Sequence, residues 1–332
     1  MGPSKGIVAE AALAGSEPRA GRMSYHERAP AGGSAKESTM DMDVALTRSP
    51  APQLGRVFAA ARVIHPFPTF LNVAATLALA VVARDGLPSA SELVRLGAAM
   101  FCAQAAIGAA NDYYDRDLDA VTKRWKPIVR GLIEPRTALG LAAAFAIAGA
   151  LLTATFGPLS VAAGGVGIAA GLAYDMRLKR SVLSALPFMV ALPALPIWVW
   201  VSLGEFMSEL WWLLPFAPLA GLAVHLSNTL PDIESDTRAG VRGLPHALGV
   251  QRSLALAWGT FGAAIAFAFL LGLRLDYDWR LFLLGALPAT ALLLASIAAY
   301  ALRPGQAALQ LGFGLIGIAT ACLAGGWLAA VA

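Results

Sequence analysis

Asn111-Asp112-Tyr113-Tyr114-Asp115-Arg116-Asp117-Leu118-Asp119 stands at the inner end of an apolar run. Asp112, Asp115 and Asp119 are spaced three and four apart, so on a helix they form one stripe, with Asn111 beside it. Three carboxylates at the C-terminal end of a helix repel one another and oppose the helix dipole. Packing does not offset that cost; a bound divalent cation would. The pattern then recurs. Asn228, Asp232 and Asp236 repeat Asn-x3-Asp-x3-Asp at the end of a second apolar run. Basic residues follow both copies: Lys123, Arg124, Lys126 and Arg130 after the first, Arg238 and Arg242 after the second.

The apolar runs set the class. Of 332 residues, 58% are hydrophobic and 14% charged, where a soluble domain carries about 25% charged residues. Stretches of roughly 20 apolar residues recur, each long enough to span a bilayer. A closed barrel would need an alternation that these runs lack, so the expectation is an all-α, polytopic membrane protein. Nine spans are expected, at 60–83, 93–113, 137–156, 158–174, 183–203, 210–230, 253–273, 280–301 and 308–331. Pro158, Pro187, Pro193, Pro196, Pro215 and Pro218 fall at or inside spans and should start, kink or break helices there. Cys102 and Cys322 lie inside apolar runs and read as small buried hydrophobes. Residues 1–55, rich in Gly, Ala, Ser and Pro without apolar period, read as a disordered cytoplasmic tail ahead of a 56–332 membrane domain. The bilayer is the expected macromolecular partner, and no nucleic acid is.

Lys and Arg fix the orientation. The loops after spans 2, 4, 6 and 8 hold Arg116, Lys123, Arg124, Lys126, Arg130, Arg136, Arg177, Lys179, Arg180, Arg238, Arg242, Arg252 and Arg303. The loops after spans 1, 3, 5 and 7 hold only Arg84, Arg95, Arg274 and Arg280. Thirteen against four puts the even loops, the N-terminus and both acidic clusters in the cytoplasm. The clusters end spans 2 and 6. That even separation suits a bundle with a pseudo-repeated four-helix unit, with the ninth helix as an addition.

Hard divalent ions take oxygen ligands and readily bridge carboxylates to a substrate phosphate. Two acidic clusters rimmed by cations therefore point to a magnesium–diphosphate site. Asp112, Asp115 and Asp119 would hold one ion group, and Asp232 and Asp236 the other, with Asn111 and Asn228 as neutral oxygen donors. Asp117 lies off the stripe. The plainer account of one acidic cluster, that it marks the membrane boundary, fits poorly with two matched copies on one side.

The two motifs, Asn111-Asp-x-x-Asp-x-x-x-Asp119 and Asp232-x-x-x-Asp236, resemble the signatures of the UbiA-type intramembrane prenyltransferase superfamily. The resemblance covers residues from about 57 to 332. It includes Lys126-Pro127-Ile128 with Gly131, Tyr174-Asp175-Met176-Arg177-Leu178-Lys179-Arg180, and Gly240-Val241-Arg242-Gly243-Leu244-Pro245. It implies Mg2+-dependent transfer of an isoprenyl group from an allylic diphosphate to an acceptor, often an aromatic ring, as in quinone or related lipid biosynthesis. Where many members read Arg-Pro-x-x-Ser-Gly, this chain reads Lys126-Pro127-Ile128-Val129-Arg130-Gly131, which leaves the acceptor open. The resemblance also makes Asn72 a diphosphate or substrate contact.

On this reading Lys179, Arg130, Lys126 and Arg242 grip the diphosphate while Asp115 and Asp232 hold ions essential to catalysis. Tyr113, Tyr114 and Tyr174 either stabilise the allylic cation or anchor helices at the interface. Asp175 is either the base that takes the acceptor's proton or an ion-pair partner of Arg177 or Lys179. His225, one turn deeper than Asn228, either touches the acceptor or packs. A membrane terpene cyclase or a phosphoribosyl transferase would use the same groups. A transporter would place its carboxylates nearer the midplane. Alanine-, leucine- and arginine-heavy usage suggests a bacterial cell membrane.

Overall fold

The structure, a computed structural model, describes Ala59 and residues 61–332. The tail expected over 1–55 lies outside the described residues. Twelve α-helices follow: α1 (Pro66–Ala83), α2 (Ala90–Tyr114), α3 (Arg116–Thr122), α4 (Pro135–Ala154), α5 (Pro158–Met176), α6 (Leu186–Leu203), α7 (Leu213–Thr229), α8 (Ile233–Arg238), α9 (Leu244–Leu248), α10 (Val250–Leu271), α11 (Trp279–Leu302) and α12 (Gln306–Val331). Among the described residues there is no strand. Among the same residues, nine helical segments are long and apolar enough to cross a membrane: α1, α2, α4, α5, α6, the Ser208–Arg238 run containing α7, α10, α11 and α12. The protein is an integral membrane protein whose described residues are all-helical.

The helix starts follow local chemistry. Pro66, Pro135, Pro158 and Pro187 occupy the first positions of α1, α4, α5 and α6, where a missing N–H costs nothing and the fixed φ suits the helix. Ser89 opens α2 with a capping box: its Oγ accepts from Glu92 N at 3.3 Å and its N–H donates to Glu92 Oε2 at 2.9 Å. The first span was expected from residue 60 but α1 starts at Pro66, because His65 turns left-handed at φ 50°. The prolines inside spans do not break them. Pro193 and Pro196 lie inside α6 and Pro218 inside α7, and both helices continue past them. Packed neighbours hold such helices together in a bilayer.

The main core gathers α6, α7, α10, α11 and α12 around Trp200, Phe216, Phe261, Phe282 and Trp327. Small residues allow the closest approach. A Cβ on Gly285 would collide with the Cys322 carbonyl oxygen, and Gly326 faces Gly285 in turn, so α11 and α12 meet backbone to backbone. A smaller cluster, Val63, Ala109, Ala110, Ile133, Ala138 and Ala142, seats α2 against α4. Both cysteines are free, and both are half-buried rather than fully buried as expected. At the end of the bundle away from the acidic motifs, Arg84 pairs with both Glu92 and Glu205, tying α1 to α2 and to the loop after α6.

Candidate active site

Both acidic motifs straddle a helix junction. The stripe expected on one helix is broken at Asp115, which ends α2 and starts α3 with φ −92° and ψ −1°. In the second copy, α7 ends at Thr229, a 3-10 turn covers Leu230–Asp232 with Pro231 in it, and α8 begins at Ile233. These bends turn Asp115, Asp119, Asp232 and Asp236 onto one cavity of about 480 Å³, together with Asn111 and Asn228. Two clusters 113 residues apart, from Asp119 to Asp232, thus face a common space. Lys123, Tyr174, Asp175, Lys179 and His225 complete much of its wall.

The first cluster is ion-paired. Lys179 Nζ lies 2.5 Å from Asp115 Oδ2 and Arg180 reaches Asp115 Oδ1 at 3.4 Å. Asn111 Nδ2 bridges Asp115 at 3.1 Å and Asp175 Oδ1 at 2.7 Å. Asp175 is 3.8 Å from Lys179, and its Oδ2 is buried without a partner.

Asp112 and Lys126 do not line this cavity. Lys126 Nζ is instead buried between Asp112 Oδ1 at 2.7 Å and Asp119 Oδ2 at 2.9 Å, with Asn111 Oδ1 at 3.4 Å. His65 Nε2 closes on Asp112 Oδ1 at 2.8 Å. The left-handed turn at His65 ends the preceding helical segment beside this carboxylate. Burial pushes the Asp119 carboxyl above the ordinary range, against the pull of Lys126. Burial by itself would lower Lys126, but Asp112 and Asp119 outweigh it and raise its pKa. Arg130 and Arg242, expected on the diphosphate, are exposed and off the cavity wall. Lys126 thus acts as an internal counter-ion.

Two histidines and a serine cluster on the cavity wall, with Ser184 and His225 buried and His246 half-buried. Leu244 N–H donates to Ser184 Oγ at 3.0 Å, and the same hydroxyl is hydrogen-bonded to His225 Nε2 at 2.9 Å. Gly243 N–H donates to His246 Nδ1 at 3.2 Å. The second bond leaves the proton of a neutral His246 ring on Nε2, and neither that atom nor His225 Nδ1 has a partner. Burial lowers the His246 pKa, which keeps the ring neutral. Sequence reasoning gave no part to Ser184, Thr229 or His246. No motif spacing marks them, since they meet the site only through the fold.

A second, mostly apolar cavity of about 410 Å³ adjoins the first, with Gln104, Ile107 and Tyr174 on both walls. Tyr174 stands edge-on to Phe188, with centroids 5.3 Å apart. Asn72 lines this apolar chamber rather than the acidic cavity, and its Nδ2 donates to Pro68 O at 2.9 Å. Tyr113 and Tyr114 stack edge to face on each other, and neither lines either cavity.

The donor set suits a hard divalent ion: carboxylate and amide oxygens on opposite walls, with no thiolate. Among the described residues, no three His, Cys, Asp or Glu side chains converge on one point. Ions between the walls would take one or two carboxylates each and complete their shells with water and substrate phosphate, the usual habit of magnesium.

Comparison with known proteins agrees with this geometry. Residues 72–318 match the model of the UbiA prenyltransferase family. A digeranylgeranylglyceryl phosphate synthase of Natronomonas pharaonis is 30% identical over 182 residues, which cover 54% of this chain and 65% of that protein, just under two thirds. The synthase of the same name from Methanopyrus kandleri is 31% identical over 225 residues, 67% of this chain and 81% of that protein. Among solved structures, a UbiA homologue from Archaeoglobus fulgidus bound to GPP and Mg2+ superposes with a TM-score of 0.61 at 18% identity, covering 80% of this chain and 99% of that one. A family match running from α1 into α12, on a fold shared with a solved homologue, makes this chain a member of the UbiA prenyltransferase family.

Proposed function

We propose that this protein transfers an isoprenyl group from an allylic diphosphate to an aromatic or other lipid-precursor acceptor, with Mg2+, at the cytoplasmic face of a bacterial membrane. One observation carries the reading: two acidic clusters share a polar cavity whose wall at Gln104, Ile107 and Tyr174 is also the wall of an apolar chamber. A diphosphate fits the first and a hydrocarbon chain the second. The homologue solved with GPP and Mg2+ supports both halves. The Lys and Arg asymmetry of the loops supports the cytoplasmic placement.

Mg2+ would be held by Asp115 and Asp119 on one wall and Asp232 and Asp236 on the other, and would supply positive charge against that growing on a departing diphosphate. Lys179, beside Asp115, reaches the same charge as a point donor, and Lys123 lies on the same wall. Heterolysis of the allylic C–O bond leaves the electron pair on the diphosphate oxygen. The allylic cation then sits at the chamber mouth, against the Tyr174 and Phe188 rings, where water is scarce. The acceptor's electron pair forms the new bond to the allylic carbon. Its proton passes to Asp175, whose Oδ2 has no other partner. Asp112 and Lys126 brace the first cluster from behind, and His246 offers an N–H donor to an acceptor oxygen. Asn111 positions Asp115 and Asp175 together.

The test is product analysis on purified protein with Mg2+ and allylic diphosphates, with and without aromatic and lipid acceptors. A prenylated product that needs an acceptor is expected. A hydrocarbon or terpene alcohol formed without one would replace transfer by cyclisation, and intact diphosphates in every tube would remove the reading.

A further inference from the structure

One face of α2 runs from the polar cavity to the apolar chamber. Asp115, Asn111 and Ile107 follow at helical spacing along the first, and Ile107, Gln104 and Met100 along the second. Among the described residues, Gln104, Ile107 and Tyr174 are the ones on both walls. Ile107 has no polar side-chain atom, and the Tyr174 ring is set edge-on against Phe188. Gln104 differs. It is half-buried and lies ten residues before Tyr114, the last residue of α2, about 15 Å along the helix. Among the described residues its side chain makes one hydrogen bond, from Nε2 to the Met100 sulfur at 3.7 Å, one turn back on the same helix. A thioether is a weak acceptor, and Oε1 accepts nothing. An amide within a membrane span is costly without a partner, and no neighbouring helix supplies one.

We propose that Gln104 selects the acceptor, by binding a neutral hydroxyl on, or next to, the atom that forms the new bond. The inference rests on the transfer reading above. With the diphosphate in one cavity and the hydrocarbon chain in the other, the carbon whose bond breaks lies at the seam between them, and the nucleophile must come to the same place. A primary amide offers a carbonyl and an N–H side by side, and a hydroxyl both donates and accepts. It therefore donates to Gln104 Oε1 and accepts from Nε2, where a carboxylate or phosphate would set negative oxygen against Oε1. Among the described residues no charged side chain lines the apolar chamber. An anionic group elsewhere on the acceptor thus stays on the polar side, where Lys123 and Lys179 are. The acceptor class is a phenol or an alcohol that presents its hydroxyl at the seam.

The experiment uses the full chain in detergent with Mg2+ and geranyl diphosphate. Phenols and hydroxylated glycerol ethers are screened as acceptors. One that gives prenylated product is then compared with its own methyl ether, added as a competing ligand, on wild type, Gln104→Met and Cys102→Ala. Methionine keeps the length of glutamine without its amide, and Cys102, on the same helix, lines neither cavity. In wild type the ether should bind at least about tenfold more weakly than its parent, because it leaves a polar group of the site unpaired. Gln104→Met should raise the acceptor KM at least about tenfold, while the inhibition constant of the ether and Mg2+-dependent binding of a non-reacting geranyl diphosphate analogue change less than about twofold. Cys102→Ala should match wild type. A merely structural role would move parent and ether together. Should Gln104→Met fail to fold, Gln104→Leu carries the same comparison. An ether bound as tightly as its parent by wild type, an acceptor KM unchanged by the substitution, or weaker binding of the diphosphate analogue alongside it overturns the assignment of Gln104. Absence of prenylated product with every acceptor instead overturns the transfer reading, and the assignment with it.

Discussion

The two acidic clusters look alike as sequence and differ as structure. The first is ion-paired throughout: Asp112 and Asp119 share Lys126, Asp112 adds His65, and Asp115 holds Lys179 and Arg180. The second stands open. Among the described residues, neither Asp232 nor Asp236 has an ion pair, and Asp232 is exposed to the cavity mouth. An incoming cation meets bare carboxylates on one wall and must compete with lysine on the other. The first cluster is therefore a rigid, pre-neutralised platform, and the second is the more available ligand set. Matched spacing in the sequence does not mean matched duty.

That contrast can be broken by substitution. The largest effect is expected for Asp115→Ala and Asp232→Ala, each of which should cut turnover by about a hundredfold to a thousandfold, the scale on which one preorganised charge-stabilising group acts. Steady-state product formation checks it, with thermal unfolding in detergent confirming a folded chain. Next comes Lys126→Met. Removing the one cation buried between Asp112 and Asp119 should destabilise the protein by about 3–5 kcal/mol, because it strands buried charge. Arg242→Ala, an exposed cation off the wall, should shift the unfolding midpoint hardly at all. A smaller difference separates Asp236→Asn from Asp112→Asn: Mg2+ titration should show about tenfold weaker binding for the first and near-native binding for the second. If Asp112→Asn weakens Mg2+ equally, Asp112 is a ligand after all, and the platform account of the first cluster fails. The smallest effect is expected for deletion of residues 1–50, which should leave turnover unchanged.

Much of the molecule was legible in advance because a bilayer constrains a chain so tightly. Apolar runs had to be helices, and α2, α10, α11 and α12 begin and end within a few residues of their expected limits. The pairing of Asn111–Asp119 with Asn228–Asp236 was legible because carboxylates at the ends of apolar helices demand a reason. What escaped was direction. Spacing places Asp112 on the same stripe as Asp115, but the junction at Asp115 turns the later residues toward the cavity and leaves Asp112 facing His65 and Lys126. Lys126, Arg130 and Arg242 were grouped by charge, although only packing tells a buried counter-ion from an exposed cation. The Ser184–His225–His246 network is assembled from three distant segments, so no window of sequence contains it.

The central claim is that both walls grip one diphosphate, and a double-mutant cycle tests it most directly. Mg2+-dependent binding of a non-reacting farnesyl diphosphate analogue would be measured for wild type, Asp115→Asn, Asp232→Asn and the double variant. Groups acting on one bound ligand are coupled, so the double variant should bind little worse than the weaker single variant. Losses that simply add, or binding that ignores Mg2+ in all four proteins, would contradict the shared site.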